Sequence, residues 1–469
     1  MPNDKKISEN TTDRLGKDKI LPLVFKLTIP AVIAQLITFL YNAVDRIFVA
    51  KIEMHGMDAL AALGIVLPTT LIIQGFAGLI GLGGSPRASI KLGEQNKEEA
   101  VEIFNNAFVL LLGTGLVLSI LVFALSEQIV TAFGCPHSAK DFAVSYLKIY
   151  SFGTLFVLLA QGLNPYITAQ GYSLTAMLSV LIGALANIAL DPLFIFVFKM
   201  GVNGAALATV ISQFVSFVWI IAFFFSEKSV FKFKIGDMKP KAKIIASILS
   251  LGFTPFVMIA TESAIQIVFN INLNNATGGN SDYTAALTIM LSALQLISLP
   301  LNGLGSGMQP FVSYNYGKGD TARLKKGIKY VTVIAFVFAL AVWSISLIIP
   351  QSYAYIFSAS DGVREIVKKY TPLFLMGSIM FFVQMTLQNV NVALGQSKSA
   401  LILAVIRKVV ILIPLCFALT HFMGFEGTYL SEGIADLLAG AITAVVIFTT
   451  FPKVFKKREE ALKAESESP

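Results

Sequence analysis

Charge is scarce in this chain. Asp, Glu, Lys and Arg make up 14% of its 469 residues and hydrophobic side chains 55%, whereas soluble domains are about a quarter charged. With a mean hydropathy of +0.73, a soluble globular protein is excluded. Cysteine is nearly absent: Cys135 and Cys416 make neither a disulfide framework nor a metal knuckle. The three histidines, His55, His137 and His421, fall near the outer ends of helices, and no pair has ligand spacing of the HExxH kind. The glycine cluster GLIGLGGSPR is not followed by Gly-Lys-Ser/Thr, which excludes a phosphate loop. A carboxylate pair of the DDxxD sort or a loop histidine base, which an intramembrane transferase would need, is also missing. No enzyme activity, catalytic residue or cofactor is therefore expected. The formal charge of +8 is not gathered in a basic soluble domain, so no nucleic-acid partner is expected either.

What is present is a series of apolar runs of about twenty residues, each long enough to cross a bilayer. They predict an all-α integral membrane protein of twelve helices, near 22–50, 58–84, 99–125, 140–168, 175–199, 203–225, 245–272, 283–310, 328–350, 365–393, 400–420 and 428–451. Residues 1–21 are a polar tail without a cleavage pattern, expected to be retained. Lys and Arg gather in that tail, in PRASIKLGEQNKEE, in SEKSVFKFKIGDMKPKAK, in YNYGKGDTARLKKGIK and in KVFKKREEALK. They alternate with poor loops such as KIEMHGMDA and KMGVN. The positive-inside rule then places both termini in the cytoplasm of a multi-pass plasma-membrane protein, read here as prokaryotic.

The chain repeats itself. A shift of 224 positions lays Gly81, Gly83, Pro86, Ser89 and Gly93 over Gly305, Gly307, Pro310, Ser313 and Gly317. Nearly the same shift matches AQGYS at 169 with ALGQS at 393, and GVNGAALATVIS at 201 with GFEGTYLSEGIA at 424. The expected plan is a first lobe over 22–225, a cytoplasmic linker over 226–244, a second lobe over 245–451 and a tail over 452–469. An even number of spans gives both lobes one orientation, related by a pseudo-twofold axis along the membrane normal. Parallel repeats of this kind are a transporter architecture.

Against this apolar background the buried acids stand out. A carboxylate at the bilayer centre costs at least about 2.5 kcal/mol on insertion scales, so Asp191 needs a partner, a proton or a cation. Asn187 lies one turn earlier on the same face. At about 1.5 Å per residue, Asp191 lies about 12 Å below the outer surface, and Asp45 and Thr209 about 9 Å below it. These groups supply hard oxygens suited to a monovalent cation or an acid pair suited to one proton; interhelical hydrogen bonding is the bland alternative. The repeat mates of Asp45, Asn187 and Asp191 are about Phe269, Val410 and Pro414, so the second lobe lacks this set. It has other acids: Glu262, a candidate second acidic site or substrate counter-ion, and Glu432 and Asp436, of which Glu432 reads as a satisfied helix-end acid. The basic residues are expected mostly at the cytoplasmic edges.

LTIPAVIAQLITFLYNAVDRIFVAKI, NIALDPLFIFVFKMGVNGAALATVIS and the duplicated glycine loops resemble the multidrug and toxic compound extrusion (MATE) family, in its prokaryotic DinF-like branch, across the whole chain. The most specific elements are LYNxxD and NxxxDPxF. The resemblance implies an antiporter that exports amphipathic, mostly cationic organic compounds in exchange for H⁺ or Na⁺. It places the coupling site at Asp45, Asn187, Asp191 and Thr209, with no metal beyond Na⁺ there, and a helix-one hinge at Pro30. Arg46, directly after Asp45, departs from the family pattern. Substrate-cavity candidates are Gln35, Tyr41, Asn42, Gln161, Asn164, Gln266, Gln295, Gln384 and Gln388. The expected partners are small organic molecules and membrane lipid, and the expected state is a monomer. A flippase for a lipid-linked precursor, sharing the duplicated architecture, is the alternative; it would be expected to show more spans and a strongly basic cavity.

Overall fold

In the computed structural model, residues 12–52, 56–133, 135, 137–278, 280–356 and 360–467 are described. The described chain is helical almost throughout. Among the described residues, eleven helices are long and apolar enough to cross a membrane, and a bent pair completes a twelfth span. We number them α1 Ile20–Ala50, α2 Gly56–Gly93, α3 Lys97–Ala124, α4 His137–Ala169, α5 Ser173–Pro192 and α6 Val202–Phe225. The second set is α7 Ala242–Thr277, α8 Ser281–Lys318, α9 Thr321–Ile348, α10 Asp361–Phe374 with its continuation Ser378–Ala393, α11 Ser397–Met423 and α12 Phe425–Glu467.

The duplication reaches the backbone. Asn96 opens α3 by accepting from the Glu99 amide, and its repeat mate Asp320 opens α9 by accepting from the Arg323 amide. Each cap satisfies an amide that the first helical turn would otherwise leave without a partner. The residue before each cap is left-handed, Gln95 at φ 62° and Gly319 at φ 79°. Gly171 and Gly395 repeat the left-handed residue at the turns after α4 and α10, and Gly201 and Gly424 do so before α6 and α12.

Two compact units emerge, and neither is a simple half of the sequence. Among the described residues, one comprises 12–18 and those within 33–259, the other 19–32 and those within 260–467. Each therefore contains the first part of the other half's leading helix. In the first unit α7 passes close to α2: a Cβ added to Gly83 would lie 2.9 Å from Gly252 Cα. In the second unit α1 passes close to α8, where a Cβ on Gly307 would lie 2.7 Å from Thr28 Cα. Thr28 and Gly252 correspond under the same shift that pairs Gly83 with Gly307, so the two crossings are repeat mates. Glycine at each crossing removes the one side-chain atom that would hold the backbones apart. The crossover points fall a few residues after Pro30 and Pro255. Proline lacks the amide that would bond the carbonyl four residues earlier, which weakens the helical ladder at each place.

The segment joining the sequence halves is part of the first unit. Gln170 Oε1 accepts from the Val230 amide at 2.6 Å, Asn105 Oδ1 from the Lys234 amide at 3.1 Å, and Asn106 Oδ1 from the Lys241 amide at 2.8 Å. Phe231 is fully buried, stacked on Phe104 and edge-on to Tyr166. Three side-chain amides from α3 and the end of α4 thus pair irregular backbone that would otherwise be left unsatisfied.

Within the second unit, α10 bends by 51° between its two parts. Gly377 sits at the bend, and a Cβ there would lie 2.8 Å from the Leu437 nitrogen of α12. The close approach explains why glycine occupies the bend.

Candidate functional site

The first unit gathers one polar cluster from four helices. The second part of α1 contributes Tyr41 and Asp45, α4 contributes Tyr146 and Tyr150, α5 contributes Asn187 and Asp191, and α6 contributes Thr209. Three of these pairs are spaced i, i+4, which stacks both members on one helix face. Asp191 is fully buried, Asn187 nearly so, and Thr209 is buried at 9% exposure.

Local sequence explains where the α5 pair sits. Pro192 follows Asp191 directly, and its missing amide interrupts the regular ladder. The helix continues as a π turn over Leu193–Val197. Gly204 of α6 packs against that turn, where a Cβ would lie 2.8 Å from the Phe194 carbonyl carbon. The last regular turn of α5 is thereby held against the start of α6, where Thr209 follows.

Asn187 donates from Nδ2 to Asp191 Oδ1 at 3.3 Å. The Asp45 and Asp191 carboxyls are within hydrogen-bonding reach of each other. The Thr209 hydroxyl neighbours that of Tyr146, and Tyr146 stacks on Tyr150 with ring centroids 6.1 Å apart. Asn187 Oδ1 is buried and accepts no hydrogen bond among the described residues, and Asp191 Oδ2 accepts none from any donor outside the carboxyl pair. The cluster can therefore offer two carboxyls, an amide oxygen and a hydroxyl to a small cation, or one proton's place between two acids. Hard oxygens of this kind suit a monovalent cation.

The other sequence candidates are dispersed. Asn164 donates from Nδ2 to the Ala176 carbonyl at 2.9 Å and to Ser179 Oγ at 2.7 Å. Gln388 donates to the Ala400 carbonyl at 3.1 Å, and Gln384 to the Asp436 carbonyl at 2.6 Å. Gln161 and Gln295 are exposed and Gln35 is half-buried. Pro30 is buried in the second unit. The side chains of Asn42, Arg46, Glu262 and Gln266 lie outside the described residues.

Sequence reasoning missed Tyr146 and Tyr150, since a tyrosine in an apolar run looks like packing. It also missed a charge cluster in the second unit. Arg407 donates from Nε to Asp436 Oδ1 at 2.9 Å and lies 3.5 Å from Glu432 Oε1. Arg407 and the buried Lys408 stand inside the α11 span, two exceptions to the expectation that basic residues lie mostly at the cytoplasmic edges. Glu432 thus lies against a buried arginine on the neighbouring helix.

Comparison with known proteins decides the family. The MatE family model matches twice, over residues 30–193 and 255–418, and the two matches begin at Pro30 and Pro255. The chain belongs to the MatE family. It is a multi-pass membrane transporter of that family, not an enzyme. Multidrug export protein MepA of Staphylococcus saprophyticus is 27% identical over 452 residues, covering 95% of this chain and 97% of that protein. MepA of Staphylococcus haemolyticus is 26% identical over 438 residues, covering 92% and 94%. Among solved structures, the MATE multidrug transporter DinF-BH has a TM-score of 0.87 at 29% identity, covering 94% of this chain and 98% of that one. An outward-facing MATE-family multidrug resistance transporter has a TM-score of 0.87 at 22% identity over the same shares.

Proposed function

We propose that this transporter is a multidrug exporter that moves amphipathic, mostly cationic organic compounds out of the cell in exchange for inward H⁺ or Na⁺. The observation that carries the reading is the fully buried Asp191 carboxyl within hydrogen-bonding reach of the half-buried Asp45 carboxyl. Two unit charges about 4 Å apart repel by about 4 kcal/mol at an effective dielectric of about 20. The pair is thus stable only while a proton or a cation lies between them. Asn187 and Thr209 add oxygens that a bare cation needs, and Tyr146 lies beside the Thr209 hydroxyl. The names of the MepA and DinF-BH relatives support multidrug cargo.

Release of the ion requires the cluster to loosen. Asp45 and Tyr41 lie on α1 beyond Pro30, so a change of bend there would move them while Asn187, Asp191 and Thr209 stay on α5 and α6. An ion gradient can then do work because the site is stable loaded and unstable empty. The test is export of a cationic dye from proteoliposomes under a pNa or a pH gradient, each imposed separately. One of the two should drive export; export indifferent to both would overturn the reading.

A further inference from the structure

The second unit holds a carboxyl pair of its own, and its cation is part of the chain. Glu432 and Asp436 are one turn apart on α12 and buried at 3% and 1% exposure. Like charges at that spacing repel. Arg407 lies against both: Nε and Nη2 contact Asp436 Oδ1 at 2.9 and 2.8 Å, and Nη2 lies 3.5 Å from Glu432 Oε1. The face of its guanidinium lies 5.0 Å from the centroid of the Phe381 ring. Lys408, next along the same π turn Ile406–Leu412, is buried as well. Gln384 of α10 ties the cluster to a third helix through the Asp436 carbonyl.

The repeat gives this arrangement its meaning. Gly201 and Gly424 open α6 and α12 with the same left-handed backbone, and in that register Glu432 is the mate of Thr209. Asn187 and Asp191 fall on Val410 and Pro414. Arg407 falls at Gly183 or Ala184, where α5 instead packs closely on α6: a Cβ on Gly183 would lie 3.4 Å from the Ser212 carbonyl. One lobe therefore has two carboxyls with an oxygen-lined place for a mobile ion. The other has two carboxyls built around a tethered one.

We infer that Arg407 is the resident cation of the second unit's carboxyl pair, occupying by covalent attachment the place that the exchangeable ion takes in the first unit. The inference rests on the coupling role proposed for Asp45 and Asp191. It extends that role to a statement about the other lobe: the Glu432–Asp436 pair exchanges no ion during transport, and it becomes a latent site for a free cation only when the guanidinium is removed. A guanidinium is always charged and forms fixed, directional hydrogen bonds. It is suited to neutralising acids permanently, as a cycling ion is not.

Two variants test this in purified protein and in proteoliposomes. Arg407→Ala leaves a cavity lined by two acids, and its thermal midpoint should fall. Millimolar guanidinium ion should restore it, with no such rise in the wild type. Failure of guanidinium to raise that midpoint would overturn the inference. The triple variant Arg407→Met, Glu432→Met, Asp436→Leu replaces the cluster with apolar groups of similar volume, a change that buried ion pairs commonly tolerate. It keeps the test decisive should Arg407→Ala not fold. Gradient-driven export by the triple variant should stay within about threefold of wild type. Loss of gradient dependence in a triple variant that inserts and binds substrate would show that these acids do exchange the ion. Asp191→Asn, measured beside it, separates the two readings. If Asp191→Asn keeps gradient-driven export, the first unit's coupling role fails whatever the triple variant does.

Discussion

Asn164 and Gln388 are repeat mates that make the same hydrogen bond. Each donates its side-chain amide to a backbone carbonyl on the following helix, and the two acceptors, Ala176 and Ala400, are repeat mates in turn. Ancestral duplication is thus visible in a single repeated contact that clamps α4 to α5 and α10 to α11. Each amide serves first as a tie between helices.

Replacing either amide should accordingly register as stability. Asn164→Ala and Gln388→Ala should each lower stability by about 0.6 to 2 kcal/mol, the range for interhelical hydrogen bonds in membranes. Thermal unfolding in detergent reads the loss, and substrate affinity measured in parallel should change little. A large affinity change at unaltered midpoint would mean that the side chain meets substrate.

The two glycine crossings should be sensitive to size in the same way. At Gly83 and Gly307 an alanine methyl group would press on the backbone of α7 and α1 respectively. Overpacking of this kind costs about 1 to 3 kcal/mol. Leucine at either position should abolish the yield of folded protein, whereas leucine at Gly64, which has open space around it, should not.

Orientation is tested by chemistry from each side of the membrane. Single cysteines placed at exposed sites of the 226–244 segment, such as Lys228 or Lys239, should react only with reagent on the cytoplasmic side. A cysteine at Gly201 should react from outside. Labelling of the segment from outside would reverse the charge-based topology.

The span series and the duplication were legible in the sequence because hydropathy and paired glycines record them directly. Asp191 was legible because an acid in an apolar run needs a reason. The exchange of leading half-helices was not, since an apolar run does not say which neighbour covers it; only the positions of Pro30 and Pro255 hinted at it. Nor was the bend in α10, where Gly377 reads like any small residue in a span. Tyr146 and Tyr150 join the acid cluster through tertiary placement alone. Arg407 did carry a signal, an arginine beside a lysine deep in an apolar span with two acids one turn apart on the next helix, and the pairing follows from charge once the helices are known to be neighbours.

Cargo charge separates the acids by role. Asp191→Asn should remove ion dependence for a cationic and a neutral substrate alike, because an acid that exchanges its partner in every cycle couples all cargo. Glu262→Gln should alter affinity for the cationic substrate and spare the neutral one. Should Glu262→Gln uncouple both as completely, coupling would not be confined to the first unit.

The most direct measurement is gradient-driven export of one cationic dye by wild type and Asp191→Asn, reconstituted at matched density in proteoliposomes under a saturating gradient of the driving ion. Asp191→Asn preserves the shape of the side chain and the Asn187 neighbour while removing the charge that the ion balances. The account predicts insertion and dye binding near wild type with export reduced to the level seen without a gradient. Export at the wild-type rate would contradict it and remove Asp191 from the coupling mechanism.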